Sequence, residues 1–178
     1  MPELPEVEIV RRGIAPAIEG GIIDDVIVRE RRLRLSPSLH FRRQIRGRKI
    51  LQTRRRGKWL IIDLERGAIL AHLGMTGVLY FAPRAPAAQH EHIGLKIGDG
   101  FLIYRDPRRF GGMMWLAETA DNHPCLQRLG PEPLSAAFDG EILHHALRGR
   151  QTLYRFNTYC TRVNEGIIAD FIIWCFEV

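Results

Sequence analysis

The sequence has few cysteines, few lysines and no long apolar run, and each shortage excludes a class of protein. Its three cysteines form no Cys-x-x-Cys pair, which argues against a disulfide scaffold and against a zinc site built within the chain. No run of about 18 apolar residues is present, so we expect no membrane span. The acidic, proline-containing start differs from the basic, apolar start of a signal peptide. We therefore expect a cytoplasmic protein.

Lysine is the scarcest of the charged residue types. Of the 26 basic residues, only Lys49, Lys58 and Lys96 are lysines. Arginine stays protonated near neutral pH, whereas lysine can act as a nucleophile or as a proton carrier. Each lysine in so arginine-rich a chain is therefore a candidate for chemistry.

The positive charge is concentrated in the first third of the chain. The net charge is +6, and residues 1–66 hold 16 Lys and Arg against 9 Asp and Glu, whereas the remainder holds 10 against 11. Such a block is typical of a surface that binds a polyanion through counterion release, and equally of a solvated basic surface. The residues of this basic block are Arg29, Arg31, Arg32, Arg34, Arg42, Arg43, Arg46, Arg48, Lys49, Arg54, Arg55, Arg56 and Lys58.

Apolar spacing predicts a first helix followed by a β-rich domain. Val7, Ile14 and Ile18 recur at helical spacing, Pro5 fits only a first turn, and Gly20 ends the helix. Many short strands with turn signals between them then indicate an antiparallel sandwich or barrel. The predicted strands are Ile22–Val28, Lys49–Thr53, Trp59–Leu64, Ala68–Leu73, Val78–Phe81, Ile93–Ile97, Phe101–Arg105 and Met113–Leu116.

The N-terminus offers a nucleophile. A proline next to the initiator allows removal of the methionine, which leaves a secondary amine at Pro2, and an α-amino group with a pKa near ~8 is partly neutral at pH 7. Such an amine can attack the anomeric carbon of a nucleoside, expel the base and form an iminium with the opened sugar. A carboxylate beside it, Glu3 or Glu6, could carry the protons. Taken alone, a proline that simply starts a helix is the commoner explanation.

Six sequence blocks follow one another in the order and spacing of a known family. They are Met-Pro-Glu-Leu-Pro-Glu-Val-Glu at residues 1–8, Arg55-Arg56-Gly57-Lys58-Trp59-Leu60, His72-Leu73-Gly74-Met75-Thr76-Gly77, His90-Glu91-His92, Asp106-Pro107-Arg108-Arg109-Phe110-Gly111 and Leu129-Gly130-Pro131-Glu132-Pro133-Leu134. On these blocks, residues 1–150 resemble the formamidopyrimidine-DNA glycosylase and endonuclease VIII family. The fuller match is to the formamidopyrimidine branch, which removes oxidised purines. Together with the strand pattern, the resemblance predicts a mainly β fold with flanking helices, a two-layer antiparallel β-sandwich whose N-terminal helix carries the nucleophile.

The resemblance implies a catalytic role for three residues. Pro2 matches the Schiff-base nucleophile of the family, Glu3 the proton donor beside it, and Lys58 the lysine that assists β-elimination. The alternative for Lys58 is one more cation that binds phosphate.

Other matched positions imply contacts with DNA. Met75, Arg108 and Phe110 match residues that fill the void left by a flipped base, although pattern alone would place Met75 and Phe110 in the core. Flipping costs a few kcal/mol of stacking and pairing, part of which such side chains recover. His90, Arg108 and Arg150 match positions that hold DNA, mostly through phosphates. His90 with His92 could instead be a metal pair, but no further ligand stands at a suitable spacing, so we assign no metal.

The match decays beyond Arg150. The family carries a helix–two-turn–helix segment there and then a zinc finger with four cysteines, whereas residues 164–170 are at most a remnant of the first and the second is missing. We expect residues 1–134 to form the N-terminal catalytic β-sandwich domain, residues 135–178 to be a truncated, divergent remnant of the DNA-binding segment, and no cofactor to be held by this chain.

Two functions remain open at this point. The first is a bifunctional glycosylase and abasic-site lyase that acts on damaged double-stranded DNA as a nucleoid-associated bacterial monomer, without contact with a membrane, and that is impaired by truncation. The second is a non-catalytic or inactive DNA-binding lobe. The intact Pro2, Glu3 and Lys58 favour the enzyme, whereas the missing half of the DNA clamp favours the inactive lobe.

Overall fold

The computed structural model describes residues 2–130, 132, 135 and 139–141. The chain divides into two compact units, with the boundary between His123 and Pro124. In the second unit the described residues include a short helix, Pro124–Gln127, in which Leu126 is buried. The predicted domain boundary after residue 134 and most of the predicted remnant fall outside the described residues. No helix among the described residues is both long and apolar enough to cross a membrane.

The first unit is a two-layer antiparallel β-sandwich, as predicted. One sheet has the strand order β1-β6-β7-β5 and the other β2-β3-β4-β8, and every strand pairing is antiparallel. The elements are α1 (Leu4–Ile18), β1 (Ile23–Val28), α2 (Phe41–Ile45), β2 (Ile50–Arg56), β3 (Trp59–Leu64), β4 (Ala68–His72), β5 (Val78–Ala82), β6 (Glu91–Ile97), β7 (Gly100–Arg105), β8 (Gly112–Leu116) and a single 3-10 turn (Ala120–Asn122).

Alternating apolar residues of the two sheets fill the core. Leu60 and Ile62 of β3 and Ile93 and Leu95 of β6 belong to one hydrophobic cluster, and each is no more than 1% exposed. Their spacing of two follows from the pleat, which points successive side chains to opposite faces of a strand. Burial of this surface is the main force that holds the sheets together.

Helix α1 covers one side of the sandwich with the apolar stripe predicted from its spacing. Val7, Ile14 and Ile18 are buried, and Pro5 lies in the first turn, where its missing N–H leaves no unmade hydrogen bond. The helix ends at Ile18, and Gly20 follows with a φ of +81° that favours glycine. The start of the helix is thereby fixed close to the start of the chain.

Glu8 anchors this helix to strand β2. Its carboxylate accepts hydrogen bonds from Arg11 (2.7 Å) and Arg12 (2.8 Å) and lies 3.4 Å from Nε of Arg55. The bonds from Arg11, followed by those from Arg12 and the charge of Arg55, lower the pKa of Glu8 to about 2. Arg11 also donates to the main-chain oxygen of Thr53 (3.3 Å). These contacts direct the first turn of α1 towards the β2–β3 turn.

The strand register gathers several loops at one end of the sandwich. Trp59 lies opposite His72, and His72 lies opposite Gly112. The start of β3, the end of β4 and the start of β8 therefore lie at the same end of the sheet. In the other sheet, Arg105 at the end of β7 pairs with the first residue of β5 and of β6. The β4–β5 and β7–β8 loops cross between the sheets here. We call this end, with loops 57–58, 73–77, 83–90 and 106–111, the site end.

Candidate active site

Glu3 and Lys58 meet at the site end. Oε2 of Glu3 lies 3.0 Å from Nζ of Lys58, in an ion pair between the residue before α1 and the β2–β3 turn. The Lys58 side chain is 2% exposed and the Glu3 side chain 48%. Pro2 is half-buried and directly precedes Glu3. The structure therefore brings the three residues predicted to be catalytic into one place.

The two candidate proton carriers of the first turn have different environments. The backbone N–H of Glu3 donates a hydrogen bond to Oε2 of Glu6 (3.0 Å), so the Glu6 carboxylate satisfies the helix start. The Glu3 carboxylate instead faces Lys58. Of the two carboxylates that the sequence left open, Glu3 has the better position to exchange a proton with the lysine.

The burial of Lys58 bears on its two possible roles. A cation that binds phosphate on a surface keeps its ammonium group in water, whereas Lys58 is almost fully buried against a carboxylate. Arg55 supports the turn that carries it, since its guanidinium donates to the main-chain oxygen of Gly57 (2.9 Å) and pairs with Glu8. This environment fits a lysine that works at close range better than it fits a surface phosphate contact.

His72 is a site-end residue to which sequence reasoning gave no role of its own. Burial, followed by the charges of Arg34 and Lys58, lowers its pKa to about 4, so its imidazole is neutral at pH 7. Its Nδ1 accepts a hydrogen bond from the Gly74 N–H (2.9 Å), and Trp59 contacts the ring edge-on at 4.8 Å. No local signal indicates this shift, because its causes lie on other strands and loops.

The three predicted void-filling residues project from the loops that cross between the sheets. Met75 and Phe110 are 40% and 42% exposed, which contradicts the core placement that pattern alone would give them. The Arg108 guanidinium lies 4.7 Å from the centre of the Phe110 ring. A Cβ atom added at Gly74 would come within 2.5 Å of the Phe110 carbonyl carbon, so the two loops touch through their backbones beside Met75 and Phe110.

Of the three positions predicted to hold DNA, the structure describes His90 and Arg108. His90 is half-buried at the site end and has a φ of +68°, and Arg109 has a φ of +60°. These are the left-handed non-glycine residues of the described chain, and such strained backbone often occurs at functional sites. Arg108 is exposed, whereas Arg150 lies outside the described residues.

His90 and His92, the histidine pair of the sequence, lie close together but in different environments. The ring centres of the two histidines are 6.3 Å apart, and His92 is buried, with its Nε2–H donating to the main-chain oxygen of Asp106 (2.8 Å). His92 is thus engaged in holding a loop. Within the part of the chain that the structure describes, no three His, Cys, Asp or Glu side chains come together as a metal site.

Internal carboxylates neutralise part of the basic block. Arg54 bonds to both Asp63 and Asp121, and Arg42 lies 2.8 Å from Asp25. Arg32 pairs with Glu30 at 3.0 Å. Part of the charge of the basic block is therefore balanced within the fold.

Comparison with known proteins identifies the family. Residues 1–113 match the family described as the formamidopyrimidine-DNA glycosylase N-terminal domain. The chain belongs to this family. It is 48% identical over 169 residues to the formamidopyrimidine-DNA glycosylase of Methylococcus capsulatus, and 48% identical over 153 residues to that of Acidithiobacillus ferrooxidans. These matches cover 94% and 85% of this chain, and they confirm the predicted family and branch.

Solved structures of the family share the fold. The formamidopyrimidine-DNA glycosylase of Lactococcus lactis, bound non-covalently to DNA with an abasic site, superposes with a TM-score of 0.72 at 32% identity over 81% of this chain and 56% of that one. The wild-type Lactococcus lactis enzyme with DNA that contains N7-benzyl-Fapy-dG gives a TM-score of 0.74 at 33% identity over 83% of this chain and 56% of that one. Both structures are complexes of the same Lactococcus lactis protein with damaged DNA.

This glycosylase-family chain spans only part of the length of its relatives. It covers 62% of the Methylococcus capsulatus protein and 56% of the Acidithiobacillus ferrooxidans protein. Within the matched length, residues 1–113 correspond to the N-terminal domain.

Proposed function

We propose that this chain is a DNA repair enzyme that removes oxidised purines and then cleaves the abasic site by β-elimination, with Pro2 as the nucleophile. The observation that carries the proposal is the ion pair between the half-exposed Glu3, which directly follows Pro2, and the buried Lys58, 3.0 Å apart. An amine, a carboxylate and an ammonium group at one point are the set that Schiff-base chemistry on a sugar requires.

Base removal is the first half of the proposed reaction. The neutral nitrogen of Pro2 attacks C1′ of the damaged nucleotide, the N-glycosidic bond breaks, and the base leaves with the proton that the Pro2 nitrogen gives up. Glu3, in its protonated form, donates a proton to the sugar O4′ as the ring opens, which leaves an iminium between Pro2 and C1′. The partly exposed Glu3 carboxyl can exchange that proton with water or with Lys58.

Strand cleavage is the second half. The iminium acidifies the protons at C2′, and loss of one of them expels the 3′ phosphate as the C3′–O bond breaks. Lys58 and Glu3 carry the proton away from this centre, and water then hydrolyses the unsaturated iminium to release Pro2. Lysine suits such a step because, unlike arginine, it can give up and recover a proton near neutral pH.

The proposed substrate is duplex DNA with the damaged base turned out of the stack. Met75, Arg108 and Phe110 would enter the void, and their exposure and placement on adjacent loops support this role. His90, Arg108 and Arg150 would hold phosphates. The relatives named formamidopyrimidine-DNA glycosylases, and the Lactococcus lactis complex with N7-benzyl-Fapy-dG, support damaged purines as the lesion class.

Borohydride trapping tests the proposal directly. The 178-residue chain is mixed with duplex DNA that contains an abasic site, and borohydride reduces any iminium to a stable covalent adduct. We expect an adduct, and we expect abasic-site cleavage to exceed excision of 8-oxoguanine from a matched duplex. Excision requires a paired base to be flipped, whereas an abasic site already exposes an aldehyde. If no adduct forms, the proposed enzyme is wrong and a non-catalytic DNA-binding lobe describes the chain better.

A further inference from the structure

Asp106 is a fully buried carboxylate at the start of the β7–β8 loop, and its side chain contacts the β4–β5 loop. Its exposure is 0%, and each of its two carboxylate oxygens accepts two hydrogen bonds. Oδ1 accepts from the hydroxyl of Thr76 (2.6 Å) and from the backbone N–H of Arg108 (3.2 Å). Oδ2 accepts from the Tyr104 hydroxyl (3.1 Å) and the Gly111 N–H (2.9 Å). A buried carboxylate is tolerated only when it is bonded in this way.

The Thr76 hydroxyl links the β4–β5 loop to the β7–β8 loop through two hydrogen bonds. It donates to Asp106 and lies 3.3 Å from the backbone N–H of Arg108, which donates back to it. Thr76 follows Met75 in the β4–β5 loop, and Arg108 precedes Phe110 by two residues in the β7–β8 loop. One carboxylate oxygen and one hydroxyl therefore fix the loop of Met75 against the loop of Phe110.

The main chain of Asp106 reaches a third loop. Its N–H donates to the main-chain oxygen of His90 (3.0 Å), and its carbonyl oxygen accepts from Nε2 of His92 (2.8 Å). The turn that presents His90 is thereby tied to the same residue. All three loops that carry predicted DNA contacts among the described residues are joined at Asp106.

We infer that Asp106 is a positioning residue that holds these three loops in one preformed arrangement, so that Met75, Arg108 and Phe110 enter the DNA as a unit. The inference rests on the proposed function, because it assigns a cause to the placement of the residues that function would use. Preformed placement matters because a displacement of about 1 Å at a reacting centre can cost on the order of 100-fold in rate. Asp106 itself touches neither the sugar nor the base.

Asp106→Asn is the first test of this inference. The amide keeps the size of the side chain but turns one acceptor into a donor, which then faces two donors that it cannot bind. We expect excision of 8-oxoguanine to fall roughly 10- to 100-fold, while the borohydride-trapped adduct with abasic DNA forms within about threefold of the wild-type rate. Thr76→Val, which keeps the shape and removes the hydroxyl, should show the same split to a smaller extent. The double variant should lose little more excision activity than Asp106→Asn alone, since both substitutions break the same link between the β4–β5 and β7–β8 loops.

A second readout follows insertion without any catalysis. 2-Aminopurine next to a stable abasic analogue changes its fluorescence when side chains enter the gap and disturb its stacking. At saturating protein and low salt, we expect the wild-type chain to change this signal and both variants to reduce the change. A purely structural role of Asp106 would shift thermal stability and leave the bound-state signal unchanged.

Thr53→Val is the matched control. Thr53 is also buried and also donates its hydroxyl to a carboxylate, that of Glu19 at 2.6 Å, but it lies where β2 meets the end of α1. We expect it to lower the melting temperature without separating excision from trapping. If Asp106→Asn does not fold, Thr76→Val decides the matter alone.

The outcomes distinguish this inference from the proposed function. A wild-type chain that forms no adduct but still changes the 2-aminopurine signal contradicts the enzyme and keeps the positioning role. A wild-type chain that leaves the signal unchanged overturns the positioning role, because nothing is inserted. The role also fails if Asp106→Asn and Thr76→Val insert as the wild type does, or if they lower excision and trapping equally.

Discussion

The Glu3 carboxylate and the Lys58 ammonium lie 3.0 Å apart, although one belongs to the start of a helix and the other to a β-turn. The pair joins a half-exposed group to a buried one, so a proton can pass between solvent and a site that water hardly reaches. This relationship makes Lys58 the most informative residue to replace.

Lys58→Ala should separate trapping from cleavage. Adduct formation depends on Pro2 and should remain, whereas strand cleavage should slow on the order of 100-fold, as is typical when a proton carrier is lost. Glu3 can be hydrated where it is exposed, so the melting temperature should change little. Single-turnover cleavage of an abasic duplex, with trapping in parallel, measures both quantities.

Lys58→Arg is the control for that experiment. It keeps the positive charge and can keep the ion pair with Glu3, but it cannot release a proton near neutral pH. We expect it to cleave as slowly as Lys58→Ala. Cleavage at the wild-type rate would mean that Lys58 contributes its charge alone.

Replacement of Pro2 should abolish the covalent adduct. In Pro2→Gly the ring that restricts the amine is lost, and an uncleaved N-terminal tag converts the nitrogen into an amide with no nucleophilic lone pair. Pro5→Ala serves as the control, because Pro5 lies in the same first turn away from the terminus. Denaturing electrophoresis after borohydride treatment gives the result, and an adduct that survives in the tagged chain, where no terminal amine remains at this position, would point to another amine.

His72 should make folding stability depend on pH in a narrow window. Its pKa is about 4 in the folded protein against 6.5 in the unfolded chain, so the unfolded chain binds more protons between these values. Stability is therefore retained above about pH 6.5 and lost as the pH falls to about 4, by on the order of 3 kcal/mol. Urea unfolding between pH 7.5 and about 4 measures this loss.

His72→Asn should remove most of that window. The amide oxygen can take the place of Nδ1 as acceptor for the Gly74 N–H, and asparagine does not titrate. The depressed pKa of Glu8, about 2 against 4.5, makes its own contribution disappear only below pH 4.5, so the two effects are separable. A variant with the same slope as the wild type above pH 4.5 would assign the effect to another group.

DNA binding by the 178-residue chain should be weak and steeply dependent on salt. Each phosphate contact contributes about 0.9 to the slope of log K against log salt, so Arg108→Ala should lower the slope by about 1. Arg32→Ala is the control, since Arg32 is paired with Glu30 at 3.0 Å. Fluorescence anisotropy between about 50 and 200 mM salt gives the slopes. Tight binding to undamaged duplex that ignores salt would contradict this account of the basic block.

The chain should purify without stoichiometric zinc. Of its cysteines, Cys125 lies on the surface, and Cys160 and Cys175 are outside the described residues. A tetrahedral site would have to recruit distant histidines. Elemental analysis after dialysis is the measurement, and a content of about one zinc per chain would refute the prediction.

Most of the sandwich could be predicted, because its strands combine apolar alternation with clear turns. Strand β3 was predicted and found at Trp59–Leu64. Strand β2 was predicted to end at Thr53 but continues to Arg56, since its backbone pairs with β3 while Asp63 and Glu8 neutralise its arginines. Polar residues of this kind give no strand signal until their partners in space are known.

Two features could not be predicted from the sequence. Helix α2 was missed because a single turn offers one spaced apolar pair, Phe41 and Ile45, which is too little for a periodic signal. The role of Asp106 was missed because its partners Thr76 and His90 lie on other loops and meet it only in the folded chain. Asp106 is part of a family block, but the resemblance implied roles only for the residues that project from the site end.

The two ends of the sandwich differ, which decides where the protein can be attached to a surface or a dye. The β6–β7 turn lies at the opposite end from the loops that carry the chemistry, since Ile97 pairs with Gly100 there. Asp99 in this turn is exposed, and the space around Gly98 is open. A linker introduced at Asp99 would leave both the amino terminus and the crossing loops free, whereas the usual amino-terminal fusion would cap the proposed nucleophile.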